Sequence, residues 1–255
     1  MKTWFTAAAL IAAALGTQAQ TADPLKAAIA ADHRTVGNVA RDAARHPYET
    51  LSFFGIKPTD TVVELAPGGG WYTEILAPYL REQGQLYAVA GASARFKAKM
   101  DASAVYGKVK ITTFDAAKGQ VEIAPAGTAD AVLTFRNVHN WMSNGSAQAV
   151  FDAAFKALKP GGTLGVEEHR LPAARTQDAK ASTGYVHEAT VIKFAEAAGF
   201  KLAGRSEVNA NPKDTADHPE GVWTLPPTYA LKDKDRAKYQ AIGESDRMTL
   251  KFVKP

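Results

Sequence analysis

The chain has 255 residues, 46% of them hydrophobic, with 30 lysines and arginines against 26 aspartates and glutamates and a net charge of +4 at pH 7. That apolar content suffices for one substantial core and excludes a disordered or fibrous chain, while basic residues scattered among acids exclude the concentrated positive face of a nucleic-acid binder. Cysteine is absent, which excludes disulfides and thiolate metal sites.

Lys2, the apolar run over 7–15 and the small residues Gly16-Thr17-Gln18-Ala19 have the arrangement of a secretory signal peptide over 1–19. The run is shorter than the ~20 residues that a bilayer crossing needs. The expectation is a periplasmic or secreted protein with no membrane span after cleavage and one domain over 20–255. Leu25, Ile29, Val36, Val39 and Ala43 then recur at helical spacing behind Pro24, predicting a leading helix over 24–45 that ends near His46-Pro47. The β-branched run 61–65 predicts a strand, and the glycines at 68–70 a turn into a helix over 71–81. A strand over 85–90, a helix over 93–104 and strands over 109–113 and 131–135 follow.

A helix over 147–158 stops at Lys159-Pro160-Gly161-Gly162, and a strand over 163–167 comes next. The pattern continues with a helix over 186–198 closed by Gly199 and strands over 200–208 and 248–253. This exchange of strand and helix predicts an α/β fold, a doubly wound, seven-stranded, mostly parallel sheet covered on both faces. The segment 209–247 is too long for an ordinary connection and holds Val222, Trp223 and Leu225. It reads as a lid, with a loose insertion as the alternative.

Glu64 lies near the end of the first strand, and Ala66-Pro67-Gly68-Gly69-Gly70 makes the turn after it. The glycines let backbone approach a ligand, and no Gly-Lys-Ser or Gly-Lys-Thr follows to make a phosphate loop. This acid-x-x-x-Gly-x-Gly spacing resembles the first motif of class I S-adenosylmethionine-dependent methyltransferases. Asp115 after the third strand, Leu158-Lys159-Pro160-Gly161-Gly162 before the fifth, and Arg136-Asn137-Val138-His139-Asn140-Trp141 after the fourth match in order. The chain is also similar to a family of exported, predicted methyltransferases through Val166-Glu167-Glu168-His169-Arg170 and Gly243-Glu244-Ser245-Asp246-Arg247-Met248.

The resemblance implies a Rossmann-like sheet and S-adenosylmethionine as cofactor, held by Glu64, Ala66, Gly68, Gly70, Asp115, Arg136 and Asn137. It implies methyl transfer to a small-molecule acceptor. One departure stands out: the second strand ends Ala88-Val89-Ala90-Gly91-Ala92-Ser93, with no acid to bind the ribose hydroxyls. A lost charge-assisted bond of this kind is worth about 1.5 to 3 kcal/mol. It keeps open a non-catalytic ligand-binding protein on a methyltransferase scaffold.

Methyl transfer needs alignment and, for a protonated acceptor, a base. His139, at a strand end and with ordinary pKa near neutrality, is the best candidate, a backbone-bound structural histidine being the alternative. His169 with Arg170 could orient an anionic acceptor or simply end a strand in ion pairs, and Tyr185 with His187 could face the cleft or the surface. No dense spacing such as His-Glu-x-x-His is present, so no metal is expected. Nothing in the pattern bears on oligomeric state.

Overall fold

The computed structural model describes Met1 and residues 23–255, so the expected signal peptide, apart from Met1, lies outside the described residues. The run Thr61–Leu65 forms β1, and its alternation supplies both faces of the protein: Val62 is fully buried in one core and Val63 in the other. Six more strands join it: β2 (Gln85–Val89), β3 (Lys110–Thr112), β4 (Ala129–Phe135), β5 (Leu158–His169), β6 (Lys201–Ser206) and β7 (Arg247–Val253). The order is β3-β2-β1-β4-β5-β7-β6. The first five strands in that order pair in parallel, whereas β7 is antiparallel to both β5 and β6. The expected seven-stranded, mostly parallel sheet with covered faces is the observed one.

Helix α4 (Pro47–Phe54) and helix α5 (Thr73–Leu80) cover one face, burying Leu51, Phe54, Ile75, Leu76 and Leu80. Helices α8 (Ala147–Ala157) and α9 (Glu188–Ala197) cover the other, burying Val150, Phe151, Ala154 and Val191. Each of these side chains apart from Ala154 contributes roughly 1.5 to 3 kcal/mol by leaving water. Gly165 in β5 lets α4 lie close, since a Cβ there would meet the Phe54 ring at 2.8 Å. Helix α6 (Ala94–Asp101) follows β2, and among the described residues no helix is long and apolar enough to cross a membrane.

The leading helix expected over 24–45 is three short pieces: α1 (Pro24–Ile29), α2 (Val36–Val39) and α3 (Asp42–Arg45). Tertiary bonds override the helical periodicity. Arg34 turns in to Asp42 at 2.6 and 2.8 Å, while Thr35 and Asn38 donate to the buried Glu74 at 2.6 and 2.9 Å. Val36 and Val39, part of the expected apolar stripe, are 85% and 44% exposed. Pro47 starts α4 instead of ending a helix, as proline does at a first helical position.

The turn expected at 159–162 is built into β5 as an irregularity in the ladder with β4, where Ala129 pairs Leu158 and Ala131 pairs Thr163. Two further helices, α7 (Val138–Ser143) and α10 (Arg236–Ile242), lie where none was expected.

Candidate functional site

The carboxyl ends of parallel strands, where loops diverge on either side, are the usual place for a ligand in such sheets. Here they open into a cleft of about 610 Å³. Its floor is the bend after β1, with Ala66, Gly68 and Gly70 at φ of 47°, 57° and 77°. A Cβ at Gly68 or Gly69 would meet nothing within 4 Å, so among the described residues no side chain fills the space beside the bend. Asn137 pins the floor, its amide donating to the carbonyls of Leu65 at 3.2 Å and Phe135 at 3.3 Å, which ties β1 to β4.

Arg136, in the left-handed region at φ 61°, turns its guanidinium to Glu167 Oε1 at 2.7 Å. Ala66 and Arg136 hold backbone angles that L side chains disfavour, on the two strands that flank the opening. A second hollow of about 180 Å³ also borders Ala66 and is lined by Val89, Ala90, Gly91, Phe114 and Trp141, with no charged side chain.

His139, on α7, is buried and lines the cleft. Its Nδ1 lies 3.0 Å from Glu168 Oε1. Glu168 is itself fixed by the backbone N–H groups of Val138, His139 and His169. A carboxylate accepts only, so Nδ1 carries a proton, and in the neutral ring the lone pair lies on Nε2. Between ring centres, Trp223 lies 5.9 Å from His139 in an edge-to-face arrangement and His169 lies 5.4 Å away. His169 pairs with the Ser245 hydroxyl, and its pKa is held well below the usual range by burial first, then by His139 and three nearby arginines. It is a neutral imidazole on the cleft wall.

His139, Glu168 and His169 bring one ligand atom each within 4.8 Å of one another, a convergence that spacing along the chain concealed because β5 delivers two of them and α7 the third. Four N–H groups already occupy the Glu168 oxygens, so the arrangement is that of a carboxylate orienting a histidine.

Other expected residues fall elsewhere. Glu64 lines neither hollow; it is buried, accepts a hydrogen bond from Thr73 at 2.6 Å, and burial pushes its pKa up to about 7 against that bond. Asp115 caps a turn and binds Lys118 at 2.8 Å, outside both hollows. The Tyr185 hydroxyl lies 3.0 Å from both Asp214 oxygens, in a small core with Leu171, Ala216 and Val222. It therefore supports the cleft wall from behind and does not face a ligand. His187 faces the Pro172 carbonyl, and Arg170 pairs with Asp246 and Glu207. Ser93, which closes the stretch where a ribose acid is missing, accepts from the Phe96 N–H as a helix cap.

The segment 209–247 supplies Val222, Trp223, Pro226, Pro227 and Thr228 to the cleft wall. Unforeseen were Arg41, Arg45 and Glu244, which also line it. The one available signal was the terminal Gly-Glu-Ser-Asp-Arg-Met fragment, which contains Glu244.

No known family profile matches this chain, and no curated protein matches it. Solved structures do. A SAM-dependent methyltransferase from Aquifex aeolicus superposes with a TM-score of 0.58 at 16% identity, covering 85% of this chain and 93% of that one. The [4+2]-cyclase SpnF gives 0.61 at 16% identity over 91% and 92%. An O-methyltransferase from neocarzinostatin biosynthesis, solved with S-adenosylmethionine and a naphthoic acid, gives 0.52 at 15% identity over 83% of this chain and 55% of its own. The sheet order, the open bend and these superpositions together establish that the chain has the Rossmann-like fold of class I S-adenosylmethionine-dependent methyltransferases.

Proposed function

We propose that the protein is an S-adenosylmethionine-dependent methyltransferase acting on a small molecule, exported if residues 1–19 are removed as a signal peptide. The observation that carries this reading is the open bend at Gly68 and Gly69 beside the buried His139–Glu168 pair. The cofactor, when bound, supplies a methyl group activated by its positively charged sulfur. The residues fit it at both ends. Backbone at 66–69 and Asn137 would hold the amino-acid end, and the uncharged hollow at Val89, Ala90 and Phe114 would take the adenosine.

His139 then accepts the acceptor's proton at Nε2, with Glu168 keeping the opposite nitrogen protonated and stabilising the imidazolium. Trp223 and Pro226-Pro227 offer the acceptor's body an apolar surface beside His139.

Calorimetric titration with S-adenosylmethionine and S-adenosylhomocysteine tests the reading. Micromolar binding is expected, and no binding at millimolar ligand overturns it. Gly68→Val should abolish binding. Gly69→Val, free of the positive φ that strains the first variant, should weaken it in a fully folded protein.

A second reading, a scaffold that uses the cleft without methyl transfer, is favoured by the missing acid at Ala90 and by the engagement of Asp115 with Lys118. It predicts a cleft ligand but no affinity for either adenosyl compound.

A further inference from the structure

Five cationic side chains, Arg41, Arg45, Arg95, Lys99 and Arg136, line the cleft against one carboxylate, Glu244. Lys99 is matched by Glu74. Among the described residues, the arginines around Glu244 outnumber the carboxylates that pair with them. Arg136 meets Glu167 at 2.7 Å, Arg247 bridges Glu167 at 3.1 Å and Glu244 at 2.6 Å, and Glu244 also takes Arg41 at 2.6 Å and Arg45 at 3.3 Å. Four guanidiniums thus share two carboxylates. The Arg45, Arg136 and Arg247 side chains are 5%, 16% and 1% exposed, too little for water to screen them fully.

The Arg45 pKa is pushed down to about 9, by burial first and then by Arg136, with Glu244 opposing, whereas Glu167 and Glu244 hold that of Arg136 up. Packing like charges this closely destabilises the empty protein, so an anion in the cleft would relieve it. The methyl donor cannot be that anion. Its carboxylate is offset by its own ammonium, and its sulfonium adds a positive charge. The same cleft also offers apolar surface, from Trp223, 38% exposed, and from Pro226 and Pro227.

We infer that the second occupant of the cleft is an organic anion, its carboxylate or phosphate head between Arg41, Arg45 and Arg136 and its apolar body against Trp223 and Pro226-Pro227. His139 lies on the same cleft wall as Trp223, so a hydroxyl on that body would be the group deprotonated. The inference rests on the transferase reading only in naming this ligand the methyl acceptor; the anion site stands on the charges alone.

Benzoate, phenyl phosphate and neutral benzyl alcohol share a ring and differ in the head group, so titrating the full chain with each at matched ionic strength tests the site and separates carboxylate from phosphate. At least one anion should bind ten times or more tighter than benzyl alcohol. Arg45→Gln should erase most of that preference, and it leaves Glu244 paired with Arg41 and Arg247. Trp223→Ala should weaken all three ligands alike.

If Arg45→Gln does not fold, the wild-type protein still decides: raising salt from about 0.05 to about 0.5 M should weaken anion binding and leave benzyl alcohol unaffected. Equal binding of anions and alcohol, an Arg45→Gln variant that keeps the preference, or salt-independent anion binding overturns the inference. Anion binding without S-adenosylhomocysteine binding would remove the transferase and keep the site, and the converse would remove the site alone.

Discussion

The two hollows that border Ala66 are built on different physics. The smaller is walled by Val89, Ala90, Phe114 and Trp141 and holds no charge, so a ligand there gains by leaving water and responds little to salt. The larger gathers five cations, one acid and two histidines around an open bend, so it selects by charge and orientation. The same division runs through the buried acids. Glu64, paired with no guanidinium, rises to about 7 by burial against the weaker pull of Thr73, Lys99 and Arg136, whereas Glu244, although burial raises it, is drawn down to about 2 by Arg247, Arg45 and Arg41. One acid is therefore tuned by burial and the other by ion pairs.

The largest effect is expected where charge and chemistry meet. His139→Ala should lower turnover by roughly 10² to 10⁴, the usual contribution of a positioned base. Turnover would be followed as S-adenosylhomocysteine released with the most active member of a panel of hydroxylated aromatic acids. Affinity for S-adenosylhomocysteine should be unchanged, because the adenosine hollow does not include this residue. A variant with intact turnover would leave His139 a structural residue.

Glu64→Gln sharpens the comparison of the acids. With a folded pKa near 7 against an ordinary 4.5, the native state holds this proton more tightly than the unfolded chain. Stability is then fullest below about pH 4.5 and falls as pH rises to about 7, by about 3 kcal/mol in all. The Gln variant keeps the bond from Thr73 and loses the titration, so urea unfolding between pH 5 and 8 should show a flatter profile and a more stable protein at the upper end. Glu244 acts in the opposite window: its contribution is present above about 4.5 and is lost as pH falls toward about 2. Parallel profiles for wild type and Glu64→Gln would remove burial as the cause.

How much of this was legible follows the same line. Strands such as Val62-Val63 declare themselves by β-branched runs between turn signals, so the sheet could be read from local pattern. The bend at Gly68 was equally local. The leading helix was misread because Arg34, Thr35 and Asn38 answer to Asp42 and Glu74, which periodicity does not register. Tyr185 was misread because an inward-facing aromatic can serve a core as well as a cleft, and Asp214 claims its hydroxyl. The ion-pair chain was invisible for a stronger reason. Arg41 and Glu244 stand 203 positions apart, and only folding brings 136–141, 166–170 and 243–248 to one wall.

The smallest expected effect addresses the uncharged hollow. Ala90 follows β2 and borders that hollow where a ribose acid would stand. Ala90→Asp would offer both ribose hydroxyls a carboxylate acceptor, worth about 1.5 to 3 kcal/mol and roughly tenfold or more in affinity for S-adenosylhomocysteine. The new charge loses hydration among Val89, Phe114 and Trp141, which places the net gain at the lower end of that range. Titration of the variant would decide between the two ways of building a site. Tighter binding would show that the adenosine rests where shape alone now holds it. Unchanged or weaker binding, with anion affinity in the cleft retained, would put the ribose elsewhere and leave the uncharged hollow as packing between β1 and β2.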